Sequence, residues 1–178
     1  MALELANLDG ETRRHMIAEM ERDLAAGTLY TGRYLSDLGF ERYPRLLREA
    51  IEDGTDESLA AALSEPGLFA DSYQKRKPSG GYTTSKVPYT APVTLAEGEF
   101  NRFYLRGLCQ RATAAGEQTI EIYRARASMT PRPESEAMIG RHLDAATLLG
   151  DLREHIGVDT ALGLPPGPNS GLSGRLTA

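Results

Sequence analysis

The residues of this chain whose types could do chemistry are few, and they gather in one stretch. Glu134 and Glu136 follow Arg124, Arg126 and Arg132, and His142 comes soon after. A carboxylate near a histidine can move protons, so acid–base catalysis would be built from this set. The same residues also make an Arg/Glu network that ties down a loop, which is the commoner use of such a grouping. His15, His142 and His155 lack the H-x-x-x-H spacing of a metal site, and no cysteine pair supports them, since Cys109 stands alone; no metal or cofactor is expected. Cys109 reads as a small buried apolar residue on a helix. Gly163, Gly167, Gly171 and Gly174 recur without a following lysine or a strand-to-helix frame, which argues against a phosphate cradle. Ser170 in PNSGLSG has the wrong glycine spacing for a nucleophile elbow. The expectation is a protein with no catalytic residues.

A second grouping is basic. Lys75, Arg76, Lys77 and Lys86 are interleaved with Tyr73, Tyr82 and Tyr89 and lead on to Arg102, Arg106 and Arg111. Such a strip can neutralise phosphates while its tyrosines stack on bases, or it can lie on an acidic protein surface. A pI near 5.3 counts against a dedicated nucleic-acid module. The wider charge pattern favours protein partners. Residues 1–73 carry 7 Lys/Arg and 15 Asp/Glu, residues 74–133 carry 10 and 4, and residues 134–178 carry 3 and 6, giving blocks of −8, +6 and −3. A basic middle between acidic ends can bind copies of itself or its neighbours head to tail. Partners are expected to be the chain itself or other proteins of one assembly, with nucleic acid as the alternative and no membrane.

Around these residues the elements can be read from periodicity and punctuation. Asp9 can cap a helix bearing Met16, Ile17, Met20 and Leu24 that stops at Gly27, and a short helix is expected from Gly32 to Leu38. A third helix should carry Pro44 in its first turn and Leu46, Leu47, Ala50 and Ile51 as its stripe, with a fourth from Asp56 or Glu57 through Leu63. Residues 65–93 have no helical period and read as an extended arm. Thr94 and Glu97 form a capping box, and Phe100, Phe103, Tyr104 and Leu108 then make the stripe of the core helix, ended by Gly116. Gly107 lies on that stripe, where close approach of another backbone would explain it. Thr119 to Ala127 alternates as a strand, whose partner must come from the arm, from Gly140 to Leu143, or from another subunit. A short helix over Glu134 to Ile139, a helix capped by Asp144 and running to Gly157, and an extended tail complete the chain.

These elements predict an α+β fold, mostly helical. Its parts are an acidic helical bundle (1–64), an extended basic arm (65–93), a helix–strand–helix core (94–157) and an extended Gly/Pro-rich tail (158–178). The 178 residues and 40% hydrophobic content suit a modest core with long appendages. The start MALELANLDGETRR lacks the basic and apolar regions of a secretion signal, and no apolar run could span a bilayer, so a soluble intracellular protein is expected.

The stretches EGEFNRFYLRGLCQRA, IEIYRARA, PRPESEAMIG and DTALGLPPGPNSGLS, in that order over roughly residues 97–172, resemble small proteins encoded among the virion-assembly genes of tailed bacteriophages. The resemblance implies a structural role in or near the phage head or its connector, acting by assembly and not by catalysis. It would place the protein in the bacterial host cytoplasm during assembly and then in the virion. It carries no assigned functional residue.

Overall fold

The computed structural model describes residues 2–127, 130–156 and 170–177. Helix α1 (Gly10–Ala26) starts where expected, the Asp9 carboxylate accepting the amides of Glu11 and Thr12, and ends at Gly27. The short helix expected from Gly32 to Leu38 is not formed: residues 32–36 are not helical, Leu35 bridges to Phe69, and α2 (Asp37–Asp53) starts after its cap Ser36 and runs through Pro44. Gly39 does not end a helix. It lies in the first turn, where a Cβ would come within 1.9 Å of the Leu68 carbonyl oxygen, so the 65–69 loop can cross only a glycine there. Pro44 sits mid-helix and forgoes one backbone hydrogen bond, an expense offset by the burial of Tyr43, Leu47, Ala50 and Ile51. Helix α3 (Asp56–Leu63) opens on a capping box between Thr55 and Ser58.

The segment expected as an extended arm, 65–93, folds back on itself as an antiparallel hairpin, β1 (Ser72–Arg76) and β2 (Tyr82–Lys86). The Pro78–Gly81 turn is closed by the Lys77 amide on the Gly81 carbonyl, at 3.0 Å. Helix α4 (Ala91–Ala115) begins a turn earlier than the capping box implied. Pro92 occupies its first turn, and the Thr94 amide already donates to the Thr90 carbonyl. Glu97, freed from any capping duty, pairs with Arg126. The predicted stripe is buried: Phe100, Phe103, Tyr104 and Leu108 are all at most 1% exposed.

Strand β3 (Thr119–Arg124) is the middle of a three-stranded antiparallel sheet. Helix α5 (Pro133–Glu136) is shorter than expected. One partner of β3 is β4 (His142–Asp144), within the region proposed from sequence, and the other is β5 (Leu172–Leu176). This corrects the tail. Its described end is a strand with Leu172, Ser173 and Gly174 buried, while the rest of the tail and Gly157 lie outside the described residues. Helix α6 (Ala145–Glu154) is capped by Asp144, as expected. The fold is thus α+β with about half its residues helical.

A single hydrophobic core runs from Met16 and Met20 of α1 through α2, α3 and α4 to Ile120, Ile122, Leu149 and Leu172. The acidic helices and the helix–strand–helix segment share it. Helix α4 is the axle, and its Gly107 has the expected purpose: a Cβ there would lie 2.7 Å from Met16 Cγ, 2.9 Å from the Met16 amide and 3.0 Å from the Thr12 carbonyl oxygen. Gly107→Ala should therefore destabilise the fold by about 1–3 kcal/mol through overpacking. Urea melts would show it as a lower midpoint with an unchanged slope.

Candidate functional site

The hairpin presents the residues that the basic strip predicted. Directly paired residues share a face in an antiparallel ladder, and Arg76 pairs with Tyr82, Gln74 with Thr84 and Ser72 with Lys86. Arg76, Tyr82 and Lys86 therefore stand together on the outer face, every residue of which is exposed. Tyr73 lies on the other face and meets Tyr34 edge-on at 4.8 Å, which pins the hairpin to the body. Lys75 and Lys77 are exposed, and Tyr89, just beyond the hairpin, is 94% exposed.

Arg102 and Arg106 do not belong to this surface. Arg106 is wholly buried on α4, donating from Nε to Glu19 at 2.8 Å and from Nη1 and Nη2 to Asp23 at 2.6 and 2.7 Å. Arg153 and Gln110 also donate to Glu19, at 2.5 and 2.9 Å. Burial alone would raise the Glu19 pKa, but these donors outweigh it and hold it at about 2. Arg111 pairs with Asp9 and Glu11 at 2.7 and 3.1 Å. The basic strip is cut to its hairpin half because helix α4 is surrounded and its arginines face inward.

The acid–base grouping resolves as a structural network. Arg124 pairs with Glu136, Arg126 with Glu97, and His142 is exposed on β4 opposite Glu121. His155 Nδ1 lies 2.7 Å from an Asp151 carboxylate oxygen. Among the described residues no three His, Cys, Asp or Glu side chains gather to hold a metal. Cys109 is buried, and burial pushes its thiol up to about 12.

Sequence reasoning missed a cavity of about 420 Å³ beside the start of α4. Tyr30, Tyr34, Phe69, Leu95, Leu105 and Leu152 supply its apolar wall, and Glu97, Glu99, Asn101 and Arg102 its polar one. Arg102 donates from Nη2 toward Glu99 Oε1 at 2.9 Å, and its carbon Cζ lies 5.9 Å from the Tyr30 ring centre. Its Nη1 is buried with no partner among the described residues, as is the Tyr43 hydroxyl, which feels both Glu99 and Arg102. An unsatisfied buried donor costs about 1–3 kcal/mol. Burial pushes the Glu99 carboxyl up to about 7 against the pull of Arg102 and Arg106. The one signal in the sequence was that the charged residues of EGEFNRFYLRGLCQRA fall on two opposite faces, Glu97 and Arg111 against Glu99, Arg102 and Arg106, so no orientation could put them all in water.

The chain matches no family model, no curated protein and no solved structure.

Two of the buried glutamates, Glu19 and Glu99, make stability depend on pH in opposite directions. Glu99, raised from 4.5 to about 7, keeps a proton that the unfolded chain has lost, so stability falls as pH rises through that window. Glu19, lowered from 4.5 to about 2, contributes stability that is present above 4.5 and lost as pH falls through about 2. Each swing is worth about 3 kcal/mol. Urea melts from pH 3 to pH 8 should give a maximum near pH 4.5 to 5, and Glu99→Gln should flatten the alkaline side alone.

Proposed function

We propose that the chain is a structural subunit of a virion-type assembly that docks through its basic hairpin on the acidic helical surface of a neighbouring subunit, in the first case a second copy of itself. One observation carries this reading: every residue of the hairpin's outer face, Arg76, Tyr82 and Lys86 among them, is exposed. A two-stranded hairpin with one exposed face gains little stability for itself, so its charge and aromatic area are suited to a partner. Within 71–89 there are four Lys/Arg and one Asp, a net +3, which leaves −8 on the rest of a chain whose total is −5. Exposed Asp37, Glu41 and Asp53 on α2 supply complementary charge on a second copy. The C-terminal strand β5 is paired with β3 in its own sheet, so the hairpin is the segment on which the docking reading rests. No described helix is long and apolar enough to cross a membrane.

Sedimentation velocity at rising ionic strength tests the reading. The wild-type chain should associate at low salt and dissociate at high salt, and a variant with Lys75, Arg76 and Lys77 changed to Glu should stay monomeric throughout. A wild-type monomer at every ionic strength would overturn self-docking. Salt-dependent binding of duplex DNA, lost in the same variant, would move the function to nucleic acid.

A further inference from the structure

The cavity beside α4 is unused by the docking reading and stands on separate residues. Its volume of about 420 Å³ lies in the range of small-molecule sites, and its walls combine aromatic and aliphatic side chains with a few convergent polar groups. Arg102 brings to that wall a buried guanidinium whose Nη1 has no acceptor among the described residues. We infer that the cavity binds an organic monocarboxylate with a flat apolar body, its carboxylate accepting from Arg102 and its body lying between Tyr30, Phe69, Leu95 and Leu105.

The charge of the site selects the ligand class. Arg102 is balanced by Glu99, and Arg126 by Glu97, while exposed Arg33 stands over Tyr34 at the rim. One further negative charge is balanced by Arg33 and by protonation of Glu99; a phosphate dianion would meet both glutamates. A guanidinium nitrogen left without an acceptor among the described residues can donate to a carboxylate oxygen. Tyr30, Tyr34, Phe69, Leu95, Leu105 and Leu152 make up the aromatic and aliphatic part of the lining, so the rest of the ligand should be apolar. The groups facing Glu99 are Arg102 on its own helix, Arg106 and Asp23 behind it, and the Tyr43 hydroxyl from α2. Entry of a carboxylate therefore couples to proton uptake by Glu99, whose carboxyl is pushed up to about 7 by burial.

Isothermal titration of the full chain with benzoate and with the larger 2-naphthoate tests the inference, with neutral benzamide and inorganic phosphate as controls. Both carboxylates should bind at one site, about tenfold more tightly at pH 6 than at pH 8, because one proton is taken up across that window. Glu99→Gln should bind at pH 8 as the wild type does at pH 6, with the pH dependence gone. Arg102→Gln should lose binding; if it fails to fold, the Glu99→Gln comparison carries the test. Absence of saturable binding by either carboxylate, equal binding of benzamide or phosphate, or an unchanged pH dependence in Glu99→Gln would overturn it.

Discussion

The body of this protein is organised around one buried guanidinium. Arg106 lies on the axle helix with no solvent exposure, and two carboxylates from α1, Glu19 and Asp23, close around it. A charge taken out of water must be matched group for group, and here it is: Arg106 spends its donors on both carboxylates and on the Glu19 carbonyl. Two carboxylates against one guanidinium leave an excess negative charge, which Arg153 of α6 neutralises from the other side. Three helices are thereby fixed in register by a single polar knot. The next residue, Gly107, lets α1 come close enough for the knot to form, and Thr12, Met16 and Met20 carry the same α1 face onto α4.

The sheet is finished by side chains in place of a further strand. The carbonyls of Leu172 and Gly174 accept from Asn101 and from the Tyr104 hydroxyl, and the Leu176 amide donates to Asn7. An exposed strand edge is a template for pairing with another chain, and these contacts remove it. The N-terminal segment completes the closure, with Leu3 bonded to Asp56 and Ala6 to the Tyr123 hydroxyl. With the sheet edge occupied and the helices knotted together, the hairpin is the extended piece whose outer face the core does not claim.

Much of the fold was legible in the sequence, and the failures have a common cause. Asp9 and Asp144 cap helices because a short side chain satisfies orphan amides locally, and local chemistry is what a sequence displays. Gly39 and Pro44 were read as local punctuation, yet both answer to tertiary contacts, a crossing loop and a buried helix face. Thr94 and Glu97 have the spacing of a capping box, but Pro92 starts the helix and Arg126 takes the glutamate. The hairpin hid behind low hydrophobicity, since neither of its faces enters the core and its alternation is polar against polar. The cavity was beyond reach for a different reason: Tyr30, Phe69 and Arg102 meet only when the chain has folded.

The basic middle block shows how a net charge misleads when it is read as surface. Of its ten Lys/Arg, Arg102, Arg106, Arg111, Arg124 and Arg126 are engaged with carboxylates of the same chain. Several of those carboxylates, Asp9, Glu19 and Asp23 among them, belong to the acidic N-terminal block, so the two blocks cancel each other inside the fold before any partner arrives. What survives for recognition is the part left unmatched: Lys75, Arg76, Lys77 and Lys86 on the hairpin, and exposed carboxylates on α2. The alternation of sign along the chain is therefore first an instruction for folding, which brings α1 to α4. Only its remainder, displayed on an element that the core does not need, is free to act between molecules.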